Sequence, residues 1–314
     1  MKTAIYSNDL SLKHDTGNGH PETVERYRAV SAALKANPLE NWVFAESRPA
    51  TKGMIKAAHT GEHFKDVEMA YANGKLALDA DTTISMHSFD AALAAAGGVC
   101  GAVTEVVEGG CDNAFVIARP PGHHATAEHS MGFCIFNNVA VGARYALDRF
   151  KDVDRVAIID WDVHHGNGTQ GIFYGDRDVY FFSAHQYPWY PGTGSRGETG
   201  YGRGLGSTKN LPVKANTPRE VYKRMFAAAI EEISKDFHPD LIFISAGFDG
   251  HRDDPLGQLL IEDEDFRQMT AIVKEWAKRD CGGRVVSVLE GGYNLETLGS
   301  TARAHVEALS SDSD

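Results

Sequence analysis

Residues 155–168 read Arg-Val-Ala-Ile-Ile-Asp-Trp-Asp-Val-His-His-Gly-Asn-Gly. The apolar run 156–159 predicts a buried strand, and Asp160, Asp162, His164 and His165 follow it directly before Gly166 and Gly168 turn the chain. In an extended chain alternate side chains share a face, so Asp160, Asp162 and His164 can point the same way. Two carboxylates and an imidazole at that spacing outline a metal site. Taken alone, the stretch can also be read as a solvated turn rich in Asp and His, the lesser of the two readings.

Working outward, the same pattern recurs. Strands are expected over 114–118, 179–182, 241–244 and 285–289, and with 156–159 they make five. Helices are expected over 21–36, with Pro21 in the first turn; over 89–107, capped by Ser88; over 138–150; from a Thr217-Pro218-Arg219-Glu220 capping box to about Asp236; and after Asn294. Residues 41–87 give no clear pattern, and Asp79 to Thr83 read as a surface loop. Strands alternating with helices argue for a parallel sheet covered on both faces, an α/β fold. In such sheets ligands bind beyond the carboxyl ends of the strands, so His123, His124, Asp162, His164, Asp249 and Tyr293 should meet in one crevice.

At 314 residues, 42% hydrophobic and 24% charged, the chain can bury a large core. No internal repeat or linker appears, so one catalytic domain over 1–309 with a short acidic tail at 310–314 is the simplest division. No apolar run of bilayer length and no signal core stand out, so a soluble, cytoplasmic protein is expected, away from membranes. Cys100, Cys111, Cys134 and Cys281 are widely spaced, which points to reduced thiols and not to a thiolate metal site. A net charge of −12 argues against nucleic acid as a partner; it suits a cationic substrate or simply a solubilising surface.

The chemistry follows from residue type. Asp162, His164 and Asp249 are hard or borderline ligands suited to Zn²⁺ or Fe²⁺, with positions left for water and substrate. Such an ion polarises a carbonyl and acidifies water, which is hydrolytic chemistry. His123 and His124 are natural proton carriers, or else a satisfied pair after a Pro-Pro turn. Tyr293, on a Gly-Gly turn, is placed to donate to an oxyanion, or else is a half-buried core ring. Gly-x-Gly-x-x-Gly matches begin at Gly166 and Gly192, but neither has the strand, helix and acidic partner of a dinucleotide site. There is no nucleophile elbow, Walker loop or cysteine nucleophile signature.

These residues occur in motifs that carry a resemblance: Arg-Pro-Pro-Gly-His-His-Ala, Asp-Trp-Asp-Val-His-His-Gly-Asn-Gly-Thr-Gln, Ser-Ala-Gly-Phe-Asp, Asp-Pro-Leu-Gly and Glu-Gly-Gly-Tyr-Asn. In their order and spacing, from His20 to Tyr293, the chain resembles the zinc-dependent histone deacetylase family, in particular its class II and bacterial deacetylase-like amidohydrolase branch. The resemblance implies the single-domain arginase–deacetylase α/β fold, with a central parallel sheet of about eight strands flanked by helices. It implies Asp162, His164 and Asp249 as zinc ligands, His124 as general base then acid, His123 as its electrostatic partner, and Tyr293 as the hydroxyl on the acyl oxygen. Asp160 and Asn167 resemble the partners of His123 and His124. Asp160 also resembles part of a structural potassium site with backbone oxygens of Asp162, His164, Ser183 and Ala184.

By the same resemblance Phe133 and Tyr190 line a channel for the lysine stem, the Gly132 carbonyl accepts the amide N–H, Asp81 holds the substrate backbone, and Arg26 lines an inner cavity. The implied substrate is an acyl-lysine protein or peptide, and a homo-oligomer is compatible with the resemblance. A small N-acylated amine, as in an acetylpolyamine amidohydrolase, is the alternative; Leu256 stands where polyamine-selective members carry an acidic gate. An acyl-lysine binding module and a di-metal ureohydrolase fit less well, because the relay set is complete and bridging ligands are missing.

Overall fold

The computed structural model describes residues 1–311. Eight strands, β1 (Thr3–Ser7), β2 (Trp42–Glu46), β3 (Asn113–Val116), β4 (Val156–Asp160), β5 (Val179–Gln186), β6 (Thr208–Val213), β7 (Leu241–Ala246) and β8 (Val285–Leu289), form one sheet in the order β2-β1-β3-β8-β7-β4-β5-β6. All pairings between them are parallel. Parallel neighbours need crossovers, and the helices in these are α1 (Val24–Ala36), α2 (Lys52–Ala58), α3 (Gly61–Ala72), α4 (Ser88–Val107), α5 (Asn138–Arg149), α6 (Asn167–Phe173), α7 (Arg219–Asp236) and α8 (Asp263–Cys281), while α9 (Leu298–Ser310) follows the last strand.

The strand period of two sorts the core into two layers. Ala157 and Ile159 of β4 join Leu34, Phe226, Phe266 and Val306 from α1, α7, α8 and α9. Val156 and Ile158 join Val99 and Val139 from α4 and α5 on the other face. Each large side chain so buried contributes about 2 kcal/mol. β4, β7 and β8 are buried along their whole length, which is why they read as unbroken apolar runs.

Several expectations are corrected. β1, β2 and β6 bring the strand count from five to the eight that the resemblance implied. β5 runs on to Gln186, so Ser183 and Ala184 lie within the strand and not beyond it. The first long helix begins at Val24, after Pro21. Ser88 is inside α4, where its hydroxyl accepts from the Ser85 N–H at 2.7 Å instead of capping the helix. The Thr217 hydroxyl donates to the Lys214 carbonyl, so no capping box forms there. α4 is, by length and composition, apolar enough to cross a bilayer, contrary to the sequence reading; its apolar residues are instead spent on α5, β1 and β3. Ser310 closes α9 and receives the Trp42 indole N–H, so it belongs to the packed body; 312–314 lie outside the described residues.

Candidate metal centre

The middle of the sheet, β3-β8-β7-β4, delivers four loops to one point. β3 leads into His123 and His124, β4 into Asp162 and His164, β7 into Asp249, and β8 into Glu290 and Tyr293. One ligand atom from each of Asp162, His164 and Asp249 lies within 4.8 Å of the others, and all three residues are buried. His164 Nδ1 stands 3.0 Å from Asp162 Oδ1 and 3.1 Å from Asp249 Oδ2.

Backbone donors aim the two carboxylates. The Gly291 N–H donates to Asp162 Oδ2 at 2.8 Å and the Val163 N–H to Asp249 Oδ1 at 2.8 Å, leaving the other oxygen of each toward His164. Gly291 permits this approach, since a Cβ there would lie 2.1 Å from Asp249 Oδ2 and 2.5 Å from Asp162 Oδ2. Burial and the adjacent Asp162 push the Asp249 carboxyl up to about 7. Although burial disfavours its charge, hydrogen bonds to Asp162 and Asp249 push His164 up to about 10. Both shifts express one demand for positive charge between two crowded carboxylates. A two-carboxylate, one-imidazole set without thiolate fits a divalent ion of the zinc or iron type.

Beside this centre the adjacent histidines are held differently. His123 Nδ1 is 3.0 Å from Asp160 Oδ2, and His124 Nδ1 is 2.7 Å from Asn167 Oδ1. Burial opposes charge on both rings, but the carboxylates of Asp162 and Asp160 hold His123 well above its ordinary value. Burial and then the imidazoles of His123 and His164 hold His124 well below it. Side by side, the two rings are pushed in opposite directions, His123 toward its charged form and His124 toward its neutral one.

A pocket of about 250 Å³ reaches this point from the surface, lined by Asp81, His124, Gly132, Phe133, His164, Trp189, Tyr190, Pro255, Leu256 and Tyr293. Phe133 adopts φ 67°, and its ring meets Tyr293 edge-on at 6.0 Å. Tyr190 meets His124 edge-on at 5.1 Å across the pocket. A Cβ on Gly132 would lie 2.4 Å from His124 Cδ2, so only glycine lets that loop close on the ring. The Gly132 N–H donates to Asp81 Oδ1 at 3.0 Å, and its carbonyl accepts the Cys134 thiol at 3.3 Å. Burial pushes the Tyr293 phenol well above its ordinary value against the pull of Arg26, so it remains a donor.

Arg26 does not line this pocket. It is buried, donates to the carbonyls of Gly292 and Glu290, and stacks its guanidinium 4.8 Å from the Tyr293 ring centroid, fixing the turn that carries the phenol. Asp160 and Ser183 face each other in register across β4 and β5, while Ala184 is the next residue of β5. Residues the sequence reading passed over complete the setting. Glu290 accepts the N–H groups of Gly122 and His123 at 2.7 and 3.1 Å, and Trp189 donates to the Leu256 carbonyl at 3.0 Å. Glu290 opens one of the quoted motifs, and the strand-end rule that selected Tyr293 would have selected it too, whereas Trp189 lies in none of them.

The comparisons agree with this geometry. The histone deacetylase domain matches residues 20–309. A probable deacetylase of Archaeoglobus fulgidus is 40% identical over 299 residues, covering 94% of this chain and 82% of that protein. Histone deacetylase 14, chloroplastic, of Arabidopsis thaliana is 36% identical over 323 residues, covering 97% of this chain and 76% of that one. The crystal structure of the HDA15 HD domain superposes with a TM-score of 0.92 at 34% identity, over 98% of this chain and 88% of that chain. With fold, strand-end motifs and relatives in agreement over nearly its whole length, the chain belongs to the histone deacetylase family and is a hydrolase of the deacetylase kind.

Proposed function

We propose that the protein removes acetyl, or other small acyl, groups from the side-chain amine of lysine in proteins or peptides. The observation that carries this reading is the pocket itself: aromatic and aliphatic walls from Phe133, Tyr190 and Leu256, closed at the inner end by His124, His164 and Tyr293. That shape takes an apolar stem and offers its polar chemistry only at the tip.

Zn²⁺, or Fe²⁺ on the same donors, held by Asp162, His164 and Asp249 supplies Lewis-acid polarisation of the acyl carbonyl and an acidified water. Tyr293 donates its hydroxyl to the carbonyl oxygen as negative charge develops there. His124, with its Nδ1–H directed at Asn167, keeps Nε2 free to take a proton from water and return it to the leaving amine. His123, tied to Asp160, stays charged and steadies the oxyanion without exchanging its proton. The Gly132 carbonyl takes the amide N–H of the substrate, and Asp81 at the rim takes its backbone. The facing positions of Asp160 and Ser183 support a structural potassium ion, held with backbone oxygens of Asp162, His164 and Ala184.

A second reading, acetylated polyamine as substrate, is favoured by the acidic rim, where Asp79 adds its charge beside Asp81. Leu256 on the pocket wall favours acyl-lysine. Turnover of the metal-loaded protein on acetyl-lysine peptides, trifluoroacetyl-lysine peptides and N-acetylated polyamines decides between them. Preference for the acetyl-lysine peptide, with Tyr293→Phe lowering turnover on the order of 10²-fold, is expected. Polyamine preference would replace the substrate assignment, and turnover of the trifluoroacetyl peptide alone would make the protein a weak hydrolase or a reader.

A further inference from the structure

The Gly192-Thr193-Gly194-Ser195-Arg196-Gly197 segment matches a nucleotide-loop pattern without serving one, and the structure shows what fills it. The N–H groups of Gly194 and Ser195 both point at the Glu198 carboxylate, at 3.0 and 2.8 Å to Oε1, with Gly194 also 3.1 Å from Oε2. Successive backbone N–H groups of this kind form an anion-binding concavity. Here the anion is the protein's own.

The carboxylate is tied into a closed circuit. Glu198 Oε2 accepts Gln170 Nε2 at 2.7 Å; Gln170 Oε1 accepts from His165 Nε2 at 2.9 Å and from Asn210 Nδ2 at 2.7 Å. His165 Nδ1 then meets Thr193 Oγ1 at 2.7 Å, returning to the residue before Gly194. On the other side of the loop, His185 Nε2 donates to the Gly194 carbonyl at 2.9 Å. Gly194, at φ 91°, lies between the two imidazoles, and a Cβ there would be 2.4 Å from His185 Nε2 and 2.6 Å from His165 Cγ. Burial opposes ionisation of Glu198, yet the donors from Gln170, Ser195 and Gly194 hold its carboxyl below its ordinary value.

What this circuit fixes is the chain just before it. The turn closed by the Gly192 N–H on the Trp189 carbonyl, at 2.8 Å, presents Tyr190 to the pocket, where its ring stands 5.1 Å from His124 and 6.1 Å from His164. Among the described residues, the circuit's own side chains, Glu198, Gln170, His165, Thr193 and Asn210, are not among those that line the pocket. We propose that Glu198 is a positioning residue: by filling the anion nest at Gly194 and Ser195 it sets the Trp189–Tyr190 wall of the channel and thereby the fit of the substrate stem. This rests on the deacetylase reading for its kinetic consequence and on the loop alone for its structural one.

Two readouts test it separately. Glu198→Ala empties a half-exposed nest that a small carboxylate can re-enter. On acetyl-lysine peptide its KM should rise about tenfold with kcat much less affected, the signature of lost uniform binding, and added formate should restore most of the loss while leaving wild type unchanged. In the metal-free protein, Trp189 fluorescence should become more accessible to acrylamide in Glu198→Ala and recover with formate; the other three tryptophans are buried. Wild-type KM in the variant, or a loss that formate does not reverse, overturns the proposal. If Glu198→Ala does not fold, Glu198→Gln, which keeps one acceptor oxygen, must show a smaller rise in KM, and an unchanged KM overturns the proposal. No turnover by wild type would count against the deacetylase reading, and the quenching of Trp189 would still judge the loop.

Discussion

Asn167 Oδ1 lies 2.7 Å from Nδ1 of His124, while its Nδ2 donates to the Met131 thioether at 3.4 Å. An amide therefore holds the neutral histidine, and a carboxylate, Asp160, holds the charged one beside it. The contrast has a kinetic consequence. Asn167→Ala should lower kcat by roughly 10- to 100-fold with little change in KM, because ring orientation is lost and binding is not. Asn167→Asp should stabilise protonated His124 and move the acid limb of the pH–kcat/KM profile upward. Measured pH–rate profiles of both variants check this.

Gly291 should be indispensable to the metal centre. Gly291→Ala places a methyl 2.1 Å from Asp249 Oδ2, so divalent-ion affinity should fall by about 10²-fold or more while the sheet still folds. Titration calorimetry with Zn²⁺, alongside circular dichroism, separates lost binding from lost structure.

Leu256 should govern substrate class. Leu256→Glu places a carboxylate at the pocket mouth, where it should attract a second ammonium and repel nothing on a polyamine. The ratio of kcat/KM for N-acetylated polyamine to that for acetyl-lysine peptide is expected to rise about tenfold. An unchanged ratio would remove Leu256 from selectivity.

Glu22 should dominate the acid limb of stability. It is fully buried, donated to by Arg26 at 3.0 Å and Arg119 at 2.8 Å, with His14 at 3.5 Å. Burial raises its pKa, but Arg119, His14 and Arg26 together hold it at about 2, below the ordinary 4.5. A depressed carboxylate stabilises the fold fully above its unfolded value and loses that contribution as pH falls through the folded one. The difference corresponds to about 3 kcal/mol, lost between about pH 4.5 and 2. Glu22→Gln, which strands two buried guanidinium groups, should cost roughly 3–5 kcal/mol at neutral pH by denaturant titration. Its stability should also lose part of the wild type's dependence on pH in the acid range.

The sequence made some of this plain for physical reasons. β4, β7 and β8 are buried on both faces and so read as apolar runs; the candidate metal ligands follow β4 and β7, and Glu290 and Tyr293 follow β8. β2 and β6 lie at the sheet edges; Trp42–Glu46 exposes Val43 and Phe44, and Thr208–Val213 carries Lys209, Asn210 and Pro212, so neither has a buried-strand pattern. α6 is a seven-residue helix with two glycines, too short for helical periodicity to show. Resemblance alone assigns Arg26 to an inner cavity, because the partners that fix it, the carbonyls of Glu290 and Gly292, are more than 260 residues away in the sequence. Glu198 was hidden by its setting in a glycine-rich loop, where a charged residue ordinarily means only solvent.

The sheet order also bears on how the molecule comes together. β2-β1-β3 uses the first third of the chain and β7-β4-β5-β6 the middle; β8 is hydrogen-bonded to both and is the only strand that joins them. The strand that comes last in the sequence is therefore the one that sits between the other two groups. Without it, Asp162 and Asp249 lack Gly291, the backbone N–H groups of Gly122 and His123 lack Glu290, and the phenol of Tyr293 has no fixed place. The reactive centre is thereby made from the most non-local pairings of the sheet, so a chain that lacks β8 lacks Gly291, Glu290 and Tyr293 together.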